Sequence, residues 1–354
     1  MMRWTLIVPI VAFLVLVLTW GRSPGGLLVA VVALALIGAV IAAVHHAEIV
    51  AHRVGEPFGT LILAIAVTVI EVGLIVMLMS AGGEGSESLA RDTVFSAFMI
   101  VCNGVMGLCL LVGALKHRVL EFRVEGVTAA LATLSAVATL ALVLPSFTVT
   151  TPGPTYSTAQ LAFAGVASLV LYGVFVFMQT VRHRDYFLPV QAGGEDDHAD
   201  PPSARTALIS LGLLVFCLVA VVGLAKTASP AIEASIAAVG APRTTVGVAI
   251  AMLVLLPETA AAVRAAARDR VQNSFNLALG SALASIGLTI PTIAVVSIIT
   301  GSSLALGLGP LQMVLLALTV VVTTLTVAPG RATLMQGTVH LVLFGAFLFL
   351  AVSP

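Results

Sequence analysis

Residues 57–80 read PFGTLILAIAVTVIEVGLIVMLMS, an apolar run of bilayer length with one carboxylate, Glu71, near its middle. A membrane's hydrocarbon core is about 30 Å thick, and an α-helix of about 20 residues crosses it. Runs of this kind recur along all 354 residues of the chain, which is 60% hydrophobic and 9% charged. Soluble domains carry about a quarter charged residues, so a soluble fold has nowhere to hide this much apolar surface. The pattern predicts an all-α integral membrane protein whose surroundings are the lipid bilayer.

Working outward from residues 57–80, charged and Pro/Gly-rich breaks divide the chain into eleven candidate spans. They are 4–20, 26–48, 57–80, 93–115, 125–145, 158–181, 206–226, 242–263, 273–298, 309–328 and 334–352. The first, from Thr5 to Trp20, follows Arg3 as the core of a signal peptide would. No small-residue cleavage motif precedes Gly21-Arg22-Ser23-Pro24, so the run reads as a membrane helix. With the N-terminus in the cytoplasm, twelve of the sixteen Lys+Arg fall inside and only Arg22, Arg91, Lys226 and Arg243 outside, as the positive-inside rule expects. The resulting organisation is an N-terminal transmembrane helix (1–25), a first membrane half (26–181), a cytoplasmic acidic linker (182–205) containing Glu195, Asp196, Asp197 and Asp200, and a second membrane half (206–354).

Several function classes are disfavoured. Formal net charge is zero and the basic residues sit in short loops, so there is no face for nucleic acid. Cys102, Cys109 and Cys217 lie in apolar segments, without the spacing of a disulfide framework or a zinc site. Neither a His-Glu-x-x-His helix nor a Gly-x-Ser-x-Gly turn is present, which argues against an intramembrane enzyme. No cofactor is implied, and no feature of the sequence assigns an oligomeric state.

The two halves echo each other. Gly55-Glu56-Pro57-Phe58-Gly59-Thr60-Leu61 and Gly240-Ala241-Pro242-Arg243-Thr244-Thr245-Val246 each open an apolar helix with one acid deep inside, Glu71 and Glu258, although the register slips by two positions at the glutamates. With the N-terminus inside, the span from Pro57 runs outward and the span from Pro242 inward, which predicts two inverted five-helix repeats after the N-terminal helix. Such repeats place a substrate site near the bilayer midplane, often on interrupted helices. Pro257, next to Glu258, removes an intrahelical donor and predicts a kink whose freed carbonyl offers a cation ligand.

Burying a charge at the bilayer centre costs at least about 2.5–3.5 kcal/mol, so an ionisable residue there is a functional candidate by default. Of the sixteen Asp+Glu, the cut places only Glu71 and Glu258 near mid-span. Burial favours their protonated forms when no cation is present, and a divalent cation reverses the balance by displacing the protons. Competition for one site is a sufficient basis for exchange. Calcium suits such a place because it accepts oxygen ligands in flexible number, whereas magnesium demands stricter octahedral geometry. Thr68, Asn103, Asn276, Ser281 and Ser285 supply further oxygens, and their other reading is interhelical hydrogen bonding. His45, Glu48 and His52 share a helix face by spacing; this is first a solvated helix end, and second a proton- or cation-sensing face. The lone His340 reads as a packing residue.

Two blocks carry a family resemblance: Gly55-Glu56-Pro57-Phe58-Gly59-Thr60 through Val67-Thr68-Val69-Ile70-Glu71, and Leu256-Pro257-Glu258-Thr259-Ala260-Ala261-Ala262-Val263-Arg264 through Asn276-Leu277-Ala278-Leu279-Gly280-Ser281 to Pro291. From about His46 to its end the chain resembles the bacterial calcium/proton antiporters of the ChaA type, within the calcium/cation antiporter superfamily. The resemblance implies two α-repeats of opposite topology, an essential acid in each at Glu71 and Glu258, alternating access, and calcium efflux driven by proton entry across a bacterial inner membrane. The chain lacks the Gly-Asn-x-x-Glu amides of many relatives, having Val67-Thr68 before Glu71 and Leu255-Leu256-Pro257 before Glu258. A monovalent sodium or potassium/proton antiporter is therefore the rival reading, and a non-catalytic membrane scaffold a remote one.

Overall fold

In a computed structural model, residues 3–22, 25–55, 58–80, 85–188, 202–238, 240, 242 and 244–353 are described. The acidic stretch Glu195 to Asp200, and Glu56, Pro57, Ala241 and Arg243 of the paired Gly-Pro motifs, lie outside them. Ten helices among the described residues are long and apolar enough to cross a membrane, and a shorter apolar helix, Trp4–Thr19, precedes them. Five of the ten come before the acidic stretch and five after it, matching the expected helix count of each half.

The helices are α1 (Arg3–Thr19), α2 (Leu27–Val54), α3 (Phe58–Ser80), α4 (Leu89–Met99), α5 (Met106–His117), α6 (Val124–Ala138), α7 (Thr158–Phe177), α8 (Ala204–Ala238), α9 (Thr244–Ala266), α10 (Val271–Thr300), α11 (Pro310–Val327) and α12 (Leu334–Val352). A π turn at Ile100–Val105 joins α4 to α5, making Ser86–His117 one continuous span. Local sequence sets several ends. Ser157 and Gln160 form a reciprocal capping box that starts α7. Gly301, at φ 66°, takes the left-handed conformation that closes α10.

Three boundaries differ from the sequence reading because charge did not end the helix. α8 continues from the expected stop at Lys226 to Ala238, and the Lys226 amine lies 5.6 Å from the centre of the Trp20 ring. α2 runs to Val54, so His45, Glu48 and His52 lie on its last turns. The fourth span begins at Ser86, which places Arg91 and Asp92 inside a helix instead of in the preceding loop.

The packing units are not the two sequence halves. One compact unit takes α1, α2, α3 and α8; the other takes α4 to α7 and α9 to α12. In the first unit α2 packs on α1, α3 and α8. Ala39, Ala42, Ala43 and Ala47, spaced along one face of α2, are fully buried and let its neighbours approach closely. A Cβ on Gly73 of α3 would come within 2.7 Å of Val222 on α8, so hydrogen is the side chain that fits this crossing. His46 is buried and its Nε2 lies 2.8 Å from the Thr5 carbonyl, tying α2 to α1. On α1, Ile7, Ile10, Leu14 and Leu18 form an exposed apolar stripe at helical spacing, the face a bilayer would cover.

In the second unit α10 packs against α5, α6 and α7, and α12 lies along α5 and the π turn. Gly287 of α10 sits against Tyr172 of α7, and Gly165 of α7 against Pro291 of α10. A short antiparallel ladder, Leu120–Glu121 with Arg331–Ala332, closes one end in the register Leu120↔Ala332 and Glu121↔Arg331.

Candidate cation site

Glu71 sits on α3 between the buried Ile70 and Val72 and is 1% exposed. Thr68, one turn earlier and 6% exposed, presents its hydroxyl to the same side of the helix. A helical threonine usually donates to the carbonyl four residues back, as Thr259 does to Leu255 at 2.7 Å. The Thr68 Oγ1 is buried with no hydrogen-bond partner among the described residues. A carboxylate and an unused hydroxyl on one buried face are a pair of oxygens suited to a hard cation.

Glu258 belongs to the second unit, on α9, and is partly exposed. The helix runs unbroken through Pro257, in place of the expected break, but Pro257 has no N–H to give the Leu253 carbonyl. Contacts at both ends fix where Glu258 stands. Near the start of α9, Gly247 packs directly on the backbone of Asp92 and Thr93. Near its end the Ala266 carbonyl approaches Gly113, and the Ala267 carbonyl accepts from Lys116 at 3.5 Å. α9 therefore runs parallel to the span Ser86–His117 at nearly constant register, and interpolation sets Glu258 at the height of the π turn Ile100–Val105. π turns inside α-helices are concentrated at functional sites.

The neighbouring helix turns back from there. Ser274 Oγ donates to the Ala262 carbonyl at 2.7 Å, fixing the α9–α10 hairpin so that Ser281 falls about one helical turn from the height of Glu258 and Ser285 one turn further. Ser285 is buried and Ser281 partly exposed. Asn276 is used differently. Its Nδ2 donates to the Phe187 carbonyl and its Oδ1 accepts from Gln272 at 3.0 Å, while Gln272 Oε1 accepts from the Arg123 amide at 2.7 Å. Its amide thus fastens the 184–187 turn to α10.

Asn103 lies on the π turn and is fully buried. Its Nδ2 donates to Thr319 Oγ1 at 2.8 Å and its Oδ1 faces His340 Nδ1 at 3.1 Å. His340 Nε2 in turn lies 3.1 Å from Thr326 Oγ1. His340 is thus paired, not an isolated packing residue, and its partner Asn103 lies 237 residues away in the chain. Asp92 was also passed over: it is 3% exposed and accepts from Arg91 Nε at 2.8 Å, while Arg91 also reaches the Gly307 carbonyl at 3.3 Å. The Asp-x-x-x-Ser spacing of Asp92 and Ser96 on one face was the available signal, since Ser96 Oγ donates back to the Asp92 carbonyl. On α2, His45 Nδ1 stands 3.9 Å from Glu48 Oε2, and the His45 ring is 5.4 Å from that of Trp4. No group of three or more His, Cys, Asp or Glu suited to hold a resident metal occurs among the described residues.

Ten bilayer-length helices among the described residues, with Glu71 and Asp92 buried inside two of these spans, define a polytopic membrane protein. The pattern of the Sodium/calcium exchanger protein family matches residues 24–181 and 209–353, and the chain belongs to that family, as a ChaA-type member of the calcium/cation antiporter superfamily. It is 50% identical over 323 residues to y4hA of Sinorhizobium fredii, described as a candidate ionic transporter, covering 90% of this chain and 87% of that one. It is 36% identical over 351 residues to the sodium-potassium/proton antiporter ChaA of Escherichia coli, covering 97% of this chain and 94% of that one. Among solved structures, the Ca2+/H+ antiporter protein YfkE has the same fold, with a TM-score of 0.73 at 16% identity over 99% of this chain and all of that one.

Proposed function

We propose that this chain is a cation/proton antiporter that exports calcium in exchange for protons by alternating access, with Glu71 and Glu258 as the carboxylates that hold either cation or protons. The observation that carries this reading is Glu71, 1% exposed within a bilayer-length helix beside the unused Thr68 hydroxyl. Such a carboxylate is costly to keep charged in lipid unless a cation offsets it. Glu258 is the counterpart in the second half, at the height of the π turn and next to Pro257, which has no N–H to give the Leu253 carbonyl. The exchanged ions are cargo, so no resident cofactor is needed. In this reading the two halves have opposite orientation, the N-terminus is cytoplasmic and the membrane is a bacterial inner membrane, in keeping with the distribution of Lys and Arg.

A second reading has a specific observation in its favour. The relative ChaA, 36% identical, is named for sodium-potassium/proton exchange. A monovalent site needs one carboxylate charge per ion, and the absence of amides beside Glu71 and Glu258 suits a less demanding cation. The deciding experiment is a proton-flux assay in everted vesicles with calcium, sodium and potassium added in turn. A proton release evoked by calcium supports the first reading. Release by sodium or potassium with no response to calcium overturns it in favour of the second.

A further inference from the structure

Asn103, His340, Thr319 and Thr326 form a polar chain inside the second unit. All four side chains are buried. Buried polar groups in lipid are retained where they are satisfied or used, and this chain is satisfied in one arrangement of protons. The Asn103 carbonyl can only accept, so His340 Nδ1 carries the hydrogen. Nε2 is then an acceptor and receives the Thr326 hydroxyl. Asn103 Nδ2 donates to Thr319, whose own hydroxyl points to Met99 Sδ at 3.5 Å. A neutral imidazole closes the chain without a stranded donor. Its side-chain partners among the described residues are Asn103 and Thr326, the Cys102 backbone carbonyl is a further hydrogen-bond acceptor for the imidazole, and no charged group is among them.

The backbone explains why the ring reaches so far. Gly104 and Gly107 leave the π-turn face of the span without side chains, and α12 lies directly on it, with Phe344 over Gly104 and the His340 Cβ over Gly107. Gly337 completes the crossing against the backbone of Leu110 and Leu111. The imidazole is therefore delivered to the turn that carries Asn103, at the height of Glu258.

We propose that His340 is a positioning residue for transport: through its Nδ1–H it orients the Asn103 carboxamide and holds the π turn at the height where Glu258 works. This rests on the reading of Glu258 as an exchanging carboxylate. The relevant atom can be isolated by substitution, because an Asn side chain places its amide near the imidazole Nδ1 position and a Gln side chain near Nε2. His340→Asn keeps the donor to Asn103 and loses the Thr326 contact; His340→Gln does the reverse.

The experiment measures cation-driven proton flux in everted vesicles for both variants and for His340→Leu, with thermal unfolding of each purified protein in detergent. His340→Asn should keep the apparent KM for the transported cation within about two-fold and leave the pH profile unmoved. His340→Gln and His340→Leu should raise KM about ten-fold, the equivalent of one well-formed hydrogen bond to a positioned group, with the maximal rate less affected. Equal impairment of the Asn and Gln variants overturns the proposal, as does a wild-type KM in His340→Leu. A fall in unfolding temperature without a change in KM makes the role purely structural and also overturns it. Glu258→Gln is run alongside. If that variant still exchanges, the reading of Glu258 fails on its own account; if it is inactive while the His340 variants behave like wild type, only the positioning role is lost.

Discussion

Gly337→Ala is a single-methyl test of the crossing between α12 and the span Ser86–His117. A Cβ at this position would lie 2.7 Å from the Leu111 backbone nitrogen and 3.1 Å from the Gly107 carbonyl oxygen, with ordinary contact beginning near 3.4 Å. Backbone cannot swing aside as a side-chain tip can, so the helices must part by about 0.7 Å, the difference between 3.4 and 2.7 Å. His340 is one turn away, and the same displacement would stretch its 3.1 Å contact with Asn103 to about 3.8 Å, beyond hydrogen-bonding range. Overpacking of this kind costs about 1–3 kcal/mol. Interhelical hydrogen bonds in membranes average about 0.6 kcal/mol and reach about 1.7. Alanine recovers up to about 1 kcal/mol of helix propensity, leaving a net loss of about 2 kcal/mol. Gly345, on the same helix, is the internal control, since a Cβ there meets nothing within 4 Å. Reversible unfolding in mixed detergent micelles should show Gly337→Ala about 2 kcal/mol less stable and Gly345→Ala neutral or slightly more stable. Equal stability of the two variants would refute the claim that backbone contact holds this crossing.

Other outcomes follow from the same geometry. Glu71→Gln and Glu258→Gln should each express and fold while losing cation-driven proton flux by more than about a hundred-fold, because an amide cannot trade a proton for a cation; retained flux in either, measured in everted vesicles, removes that residue from the mechanism. Thr68→Val keeps side-chain volume and breaks no hydrogen bond seen among the described residues. Its unfolding free energy should therefore stay within about 0.5 kcal/mol of wild type, while the cation KM rises several-fold in the flux assay. His46→Leu removes the 2.8 Å link to the Thr5 carbonyl and should loosen α1 from α2, read as faster proteolysis or hydrogen exchange in residues 3–19 with the ion-dependent flux little changed.

Much of the architecture was legible in the chain because lipid supplies no hydrogen bonds. Each apolar run must satisfy its own backbone as a helix, which makes secondary structure nearly a local property of hydropathy. Glu71 stood out on the same ground, as a lone acid inside residues 57–80, and Glu258 likewise beside Pro257. Charge was the weaker guide to helix ends. Lys226 and Arg91 looked like breaks, yet a long cationic side chain can turn toward an aromatic ring or a carbonyl while its backbone stays helical, as both do here.

The sequence by itself determined that this is a membrane protein of two five-helix halves after a short apolar helix, and it singled out Glu71 and Glu258 as acids near mid-span. Tertiary structure decided the rest: the two packing units that cut across those halves, the diversion of Asn276 to the 184–187 turn, and the pairing of Asn103 with His340 at 3.1 Å. Hydropathy is read within one helix, but a partner 237 residues away is fixed only when glycines let two backbones meet. No periodicity within either helix encodes that meeting.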